Sequence, residues 1–242
     1  MFLREIKYRE DKNPDFAEYP FNVPILNKKD FLLKFSPTIT FLVGENGSGK
    51  STILEAIALA CGFNSAGGSR NNIYESIATE SKLADYLKLV WNTKINKGFF
   101  LRAETFFNFA SALDELRKGP YGGPSYIPYG GKSLHTQSHG ESFLALFKNR
   151  LREGLFIFDE PEAALSPQRQ LAFLSILNER IQSKKCQFII ATHSPILLSY
   201  PKAIIYELIN DGIKKVSYRE TEHYKITKDF LESPESFFRY LF

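Results

Sequence analysis

The sequence predicts an α/β fold: a mostly parallel sheet flanked by helices, preceded by an antiparallel β-rich N-terminal part. Three observations predict it. GLFIFDE (154–160) and QFIIATH (187–193) are continuous apolar runs, the pattern of strands buried on both faces. SPQRQLAFLSILNERIQSKK (166–185) lies between them with helical apolar spacing, so strand, helix and strand make a βαβ crossover. Earlier segments instead alternate apolar and polar residues, which suits strands with one solvated face.

In chain order, FLREIKY (2–8), DFLLKF (30–35) and TITFLV (38–43) read as strands, with Pro14, Pro20 and Pro24 marking loops between the first two. STILEAIALACG (51–62) is apolar at helical spacing and ends on a glycine, so it reads as a helix. SKLADYLKLV (81–90) is expected to be helical, GFFLRA (98–103) a strand and TFFNFASALDELRK (105–118) a helix. KGPYGGPSYIPYGGK (118–132) carries too many glycines and prolines for a regular element and reads as a loop. A helix is expected over 142–151. After the βαβ unit, AIIYELINDGIKKVSY (203–218) is a hairpin turning at Asp211-Gly212, and two short helices follow.

Composition narrows the class. The chain has 242 residues, 43% hydrophobic and 24% charged, which supports a real core and excludes wholesale disorder. Its net charge of +4 is compatible with nucleic acid without pointing to it. Cys61 and Cys186 form no CxxC pair and sit beside apolar runs, so buried thiols in a reducing cytosol are expected. The start, MFLREIKYRE, is charged from Arg4 onward, unlike a signal peptide. The longest apolar runs fall far short of the ~20 residues of a membrane helix. A cytoplasmic protein with no membrane partner is expected.

Two motifs carry chemistry. GENGSGKST runs from Gly44 through Glu45, Asn46, Gly47, Ser48, Gly49, Lys50 and Ser51 to Thr52, and satisfies G-x-x-x-x-G-K-[ST] between a strand and a helix. Glycines let successive backbone N–H groups turn inward around phosphate oxygens, and the helix adds its positive end. Lys50 is a flexible cation for the β- and γ-phosphates, and the Ser51 hydroxyl can ligate Mg²⁺. This phosphate loop predicts ATP or GTP binding. The second motif ends a buried strand with Asp159 and Glu160, at the crevice where α/β proteins bind ligands. Asp159 can hold Mg²⁺ through water, and Glu160 can orient or deprotonate the attacking water. His193, after the next buried strand, lands on the same edge and is expected to contact the γ-phosphate.

The order GENGSGKST, SHGES, LFIFDEPE, ATHSP resembles the ABC-type ATPases. More narrowly it resembles the recombination, SMC-like chromosome-maintenance and overcoming-lysogenization-defect groups, and the short stand-alone bacterial proteins labelled "predicted ATPase" or "AAA family ATPase". The resemblance covers nearly the whole chain. It implies an ABC-type head over 1–242 with a small helical signature lobe inserted at roughly 104–151. It also implies ATP and Mg²⁺ as cofactors and a composite site, with two ATPs sandwiched between two copies. One copy supplies the P-loop, Asp159, Glu160 and His193; the other supplies its signature, here Ser138, His139, Gly140 and Glu141 heading a helix.

The chain departs from the class at several points. His139 replaces a signature glycine and either hinders close approach or adds a donor. No glutamine marks the usual metal-contacting loop; Glu104 is either a Mg²⁺-water contact in its place or the partner of Arg102. Ala163-Ala164-Leu165 leads to Ser166 where an acid is usual. Coiled-coil arms are missing.

The main functional expectation is an ATP-hydrolysing switch that closes and opens a homodimer, with DNA or a separate effector protein as partner. A regulatory pseudo-ATPase is the alternative, motivated by the altered signature. A transporter's ATP-binding subunit is disfavoured because the parts that couple to membrane helices are irregular.

Overall fold

The computed structural model describes residues 2–64, 81–106, 111 and 139–242. The expected helix over 105–118 and loop over 118–132 lie almost wholly outside them, as does Ser138.

Two sheets organise the described residues. The smaller is antiparallel, with β1 (Leu3–Tyr8) between β2 (Leu32–Lys34) and β4 (Leu87–Trp91). The larger has the order β5-β6-β7-β3-β8-β9, formed by β5 (Gly98–Arg102), β6 (Gly154–Asp159), β7 (Cys186–Ala191), β3 (Ile39–Val43), β8 (Ile204–Ile209) and β9 (Gly212–Val216). Its pairings are parallel except for the β8–β9 hairpin. Every residue of β3, β6 and β7 is buried, as their uninterrupted apolar runs require.

Strand alternation sorts these residues onto two faces. Leu155 and Ile157 of β6 join Ile189 of β7 in a core beneath α1 (Lys50–Ala60), which contributes Ile53, Leu54 and Ile57. The antiparallel sheet packs into this same core through Leu3, Ile6 and Leu33. Phe156 and Phe158 face the other way, with Phe188, into a core shared with α3 (His139–Arg150) and α4 (Pro167–Gln182). There Phe147 and Phe173 stack with centroids 4.3 Å apart, holding α3 against α4.

One polar side chain joins the two sheets. Gln187 of β7 is fully buried; its Oε1 accepts from the N–H groups of Phe2 and Leu3, and its Nε2 donates to the carbonyls of Leu3 and Ser36. Every hydrogen-bonding position of the amide is used, so its burial carries little penalty.

Three expectations need correction. The stretch 81–90 is helical only in α2 (Lys82–Tyr86); from Leu87 it becomes β4, pairing with β1 from Leu3↔Trp91 to Tyr8↔Leu87. Leu87 and Leu89 fall on the core side of that ladder, so tertiary pairing overrides a helical propensity. The helix expected from 142 begins at His139, which places His139, Gly140 and Glu141 inside its first turn. The hairpin turns at Asn210-Asp211, since Ile209 pairs with Gly212. The two helices expected after the hairpin are α6 (Glu222–Glu232) and α7 (Pro234–Leu241). A four-residue α5 (Pro195–Leu198) follows β7. Both cysteines are buried and free, as expected. Among the described residues no helix is long and apolar enough to cross a membrane.

Candidate functional site

The phosphate loop joins β3 to α1 at the carboxyl edge of the parallel sheet. Its first glycine is sterically required. Gly44 sits at φ +146°, and a Cβ there would come within 2.6 Å of the Leu208 carbonyl oxygen on β8. Lys50 is only 4% exposed and folds back over the loop, donating from Nζ to the carbonyls of Gly44 at 2.6 Å and Glu45 at 3.0 Å. Burial lowers its pKa, against the pull of Glu160 and Asp159. The cation is thus held inside the loop by backbone oxygens that a phosphate could replace. Clefts of about 600 Å³ open on both sides of the loop and its helix. One is lined by 44–48, the end of β8 and His223; the other by Tyr19, Ser51, Thr52, Glu55 and Arg102. Thr52 faces the second cleft with its hydroxyl 3.2 Å from that of Tyr19.

Asp159 ends β6 beside Ser51, whose Oγ donates to Asp159 Oδ1 at 3.2 Å. The other oxygen, Oδ2, accepts from Nε of Arg102 at 3.0 Å, and Arg102 Nη2 also reaches Glu55 Oε2 on α1 at 3.3 Å. Parallel pairing of β5 with β6 sets Arg102 directly opposite Asp159. Burial raises the Asp159 carboxyl above its ordinary range, while Arg102 and Ser51 draw it down. The residues fit Mg²⁺. Ser51 donates its only hydrogen to Asp159, which leaves its oxygen lone pairs for a hard cation. Among the described residues no cluster of three or more His, Cys, Asp or Glu forms a metal cage. An ion here would therefore take much of its coordination from nucleotide phosphates and water, as Mg²⁺ commonly does. Glu104 is exposed on the short turn Ala103–Thr105 after β5, and the partners seen for Arg102 include Asp159 and Glu55.

Glu160 adopts φ 49°, ψ 53°, a left-handed conformation that costs a non-glycine residue about 1–2 kcal/mol. The turn is held by its N–H, which donates to the Ala191 carbonyl. His193 Nε2 comes within 3.4 Å of Glu160 Oε1 but lacks hydrogen-bond geometry, so this buried nitrogen has no partner. The other ring nitrogen, Nδ1, lies 2.8 Å from Nε2 of His223 on α6. Glu162 anchors the turn from below, its Oε1 accepting from the His193 N–H at 2.6 Å. Burial raises the Glu162 carboxyl; burial, then the nearby Lys50, lowers His193; burial, then His193 itself, lowers His223. Ser194 caps α5 and donates to Gln170 on α4, which in turn donates to the Leu165 carbonyl. The turn after β7 and the Ala163-Ala164-Leu165 stretch are thereby tied together.

The structure brings Lys50, Ser51, Asp159, Glu160 and His193 to one edge. It adds Arg102 and His223, which motif reading missed. Of the signature, Gly140 is buried at the start of α3, where a Cβ would collide with the Arg169 guanidinium, and Glu141 pairs with Arg169 at 3.6 Å. This helix lies on the sheet face opposite α1.

A family model described as an AAA domain matches residues 21–232. The chain belongs to that AAA domain family. A curated relative, protein ea59 of Escherichia phage lambda, is 33% identical over 84 residues; the match takes in 32% of this chain and 16% of the phage protein. Among solved structures, the ADP conformation of MJ1267, an ATP-binding cassette of an ABC transporter, is 17% identical with a TM-score of 0.50, covering 99% of this AAA domain and 98% of the cassette. The cbiO1 protein of Clostridium perfringens, part of the ABC transporter complex cbiONQ, is 14% identical with a TM-score of 0.50, covering 96% and 95%. The SMC head domain from Thermotoga maritima is 18% identical with a TM-score of 0.45, covering 90% and 99%. The likeness to the two structures at TM-score 0.50 shows that the AAA domain has the α/β fold of an ABC-type P-loop ATPase, as its motif order implied.

Proposed function

We propose that this AAA domain is a Mg²⁺-dependent ATPase that uses ATP to close a homodimer and hydrolysis to open it. The observation that carries the reading is the convergence of Lys50, Ser51, Asp159, Glu160 and His193 at one sheet edge that the described residues leave open. The Glu160 side chain is 40% exposed, too wet for a general base unless something covers it. A second copy, presenting its α3 N-terminus with Ser138, His139, Gly140 and Glu141, would supply that cover and more phosphate donors.

In this reading Lys50 leaves its two loop carbonyls for the β- and γ-phosphates. Ser51 and Asp159 hold Mg²⁺, which when bound neutralises charge developing on the phosphates. Glu160, fixed by its strained turn, accepts a proton from the attacking water, and His193 donates from Nε2 to the γ-phosphate. Glu104 is kept as a proposed water-mediated metal contact. The whole chain, residues 1–242, acts as one head with the signature lobe inserted at roughly 104–151.

Glu160→Gln removes the base while keeping the shape, so the variant should accumulate as an ATP-bound dimer in gel filtration with ATP and Mg²⁺. A monomer alone under those conditions defeats the dimer proposal. The switch would act on DNA or on a separate effector protein; turnover measured with and without DNA ends decides between them.

A further inference from the structure

His223 stands outside every motif of the site, yet it is bonded to the residue proposed to contact the γ-phosphate. It sits in the first turn of α6, 30 residues beyond His193. The two rings are tilted by 54° with centroids 4.9 Å apart, and His193 Nδ1 meets His223 Nε2 at 2.8 Å. A hydrogen bond between two ring nitrogens takes one proton, which only one of them carries.

Two arrangements satisfy the contact. If His193 carries its proton on Nδ1, then Nε2 is a bare lone pair 3.4 Å from an oxygen of the Glu160 carboxylate, which places partial negative charge beside an anion. His193 would then have no proton to offer a phosphate. If His223 carries the proton on Nε2, His193 becomes the Nε2–H form and points an N–H at the same region. His223 Nδ1, buried without a partner, is then the bare acceptor, so either arrangement leaves one ring N–H and one ring acceptor unpaired and only their positions differ. The unpartnered Nε2 of His193 also becomes intelligible as a donor awaiting an anion. Electrostatics selects the second arrangement, because it puts the unpaired N–H beside the Glu160 carboxylate.

We propose that His223 is a positioning residue: by donating from Nε2 to His193 Nδ1 it fixes the tautomer in which His193 offers Nε2–H to the γ-phosphate. The role rests on the ATPase reading above. It gives α6, through its first turn, a part in the chemistry that no motif at the sheet edge reveals. Since His223 also lines the cleft beside the P-loop, the same side chain borders both the nucleotide's approach and the group that would hold its last phosphate.

The test uses the full chain in two measurements. Nitrogen-15 NMR of the imidazole rings should show wild-type His193 as the Nε2–H tautomer, and His223→Phe should shift it to a mixture. An Nδ1–H form in the wild type, or an unchanged tautomer in His223→Phe, overturns the proposal. In steady-state ATPase assays His223→Phe should lose about ten- to a hundredfold in kcat with KM within about twofold. His223→Gln, which restores an N–H donor, should recover most of the loss. Wild-type kcat in His223→Phe, or equal losses in the Phe and Gln variants at matched melting temperature, also overturns it. If the wild type releases no more phosphate than Lys50→Ala, the ATPase reading fails, while the NMR result still decides whether His223 sets the tautomer.

Discussion

Arg102→Ala should destabilise the nucleotide-free protein by about 2–3 kcal/mol. Removing one partner of a buried ion pair typically costs about 3–5 kcal/mol, because the other charge is left without compensation. Asp159 is 4% exposed, but the Arg102 side chain is 22% exposed, so solvent screens part of the interaction and the cost falls below that range. The Ser51 hydroxyl stays on Asp159 Oδ1 and softens the loss further. For a chain of this size the melting temperature should fall by roughly 5–10 °C. Asp159→Asn should cost less, about 1 kcal/mol, since Arg102 keeps Glu55 as a partner. The double variant leaves no orphaned carboxylate at position 159, so its cost should undercut the sum of the single effects by about 1–2 kcal/mol. Urea unfolding followed by circular dichroism, in EDTA and without nucleotide, measures all three. Additivity within about 0.5 kcal/mol, or wild-type stability of Arg102→Ala, would refute the reasoning.

Two further perturbations probe the phosphate loop and the turn beneath His193. Lys50→Ala removes a cation that trades two carbonyls for phosphate oxygens; isothermal titration with a non-hydrolysable ATP analogue and Mg²⁺ should show affinity lower by about one to two orders of magnitude, and unchanged affinity would place the triphosphate elsewhere. Glu162 is an acid whose pKa is raised by burial in the folded chain. Above its unfolded pKa the unfolded state binds fewer protons, so its contribution lowers stability as pH rises through that window. Glu162→Gln, whose amide oxygen still accepts from the His193 N–H, should therefore melt higher than wild type at about pH 8, with the gap closing below about pH 4. A gap that does not change with pH would contradict this assignment.

Contiguity decided what could be read from the sequence. The phosphate loop and the Asp159-Glu160 pair are local strings whose chemistry depends on residues a few positions apart, and their flanking strands announce themselves as apolar runs. The parallel sheet followed from the same runs. What escaped depends on pairings between distant segments. Leu87–Trp91 carries helix formers, and only the ladder with β1 makes it a strand. Arg102 meets Asp159 because β5 happens to lie beside β6. His223 gave one faint signal, as one of only four histidines in the chain, but its approach to His193 is created by the packing of α6 and by no spacing rule. The altered signature was visible as letters, while the place of His139, Gly140 and Glu141 inside the first turn of α3 was not.

The amide of Gln187 also constrains how the chain can be assembled. Its contacts span 184 residues to Leu3 and 151 to Ser36, so they have among the largest loop-closure costs available to a chain of this length. During synthesis the first strands emerge long before β7 exists, and until then the N–H groups of Phe2 and Leu3 have no such acceptor. High contact order of this kind slows folding. The antiparallel sheet, whose three strands all precede β7 in the chain, is thus among the last parts to be locked, and its docking certifies that the strand leading to His193 is already in place.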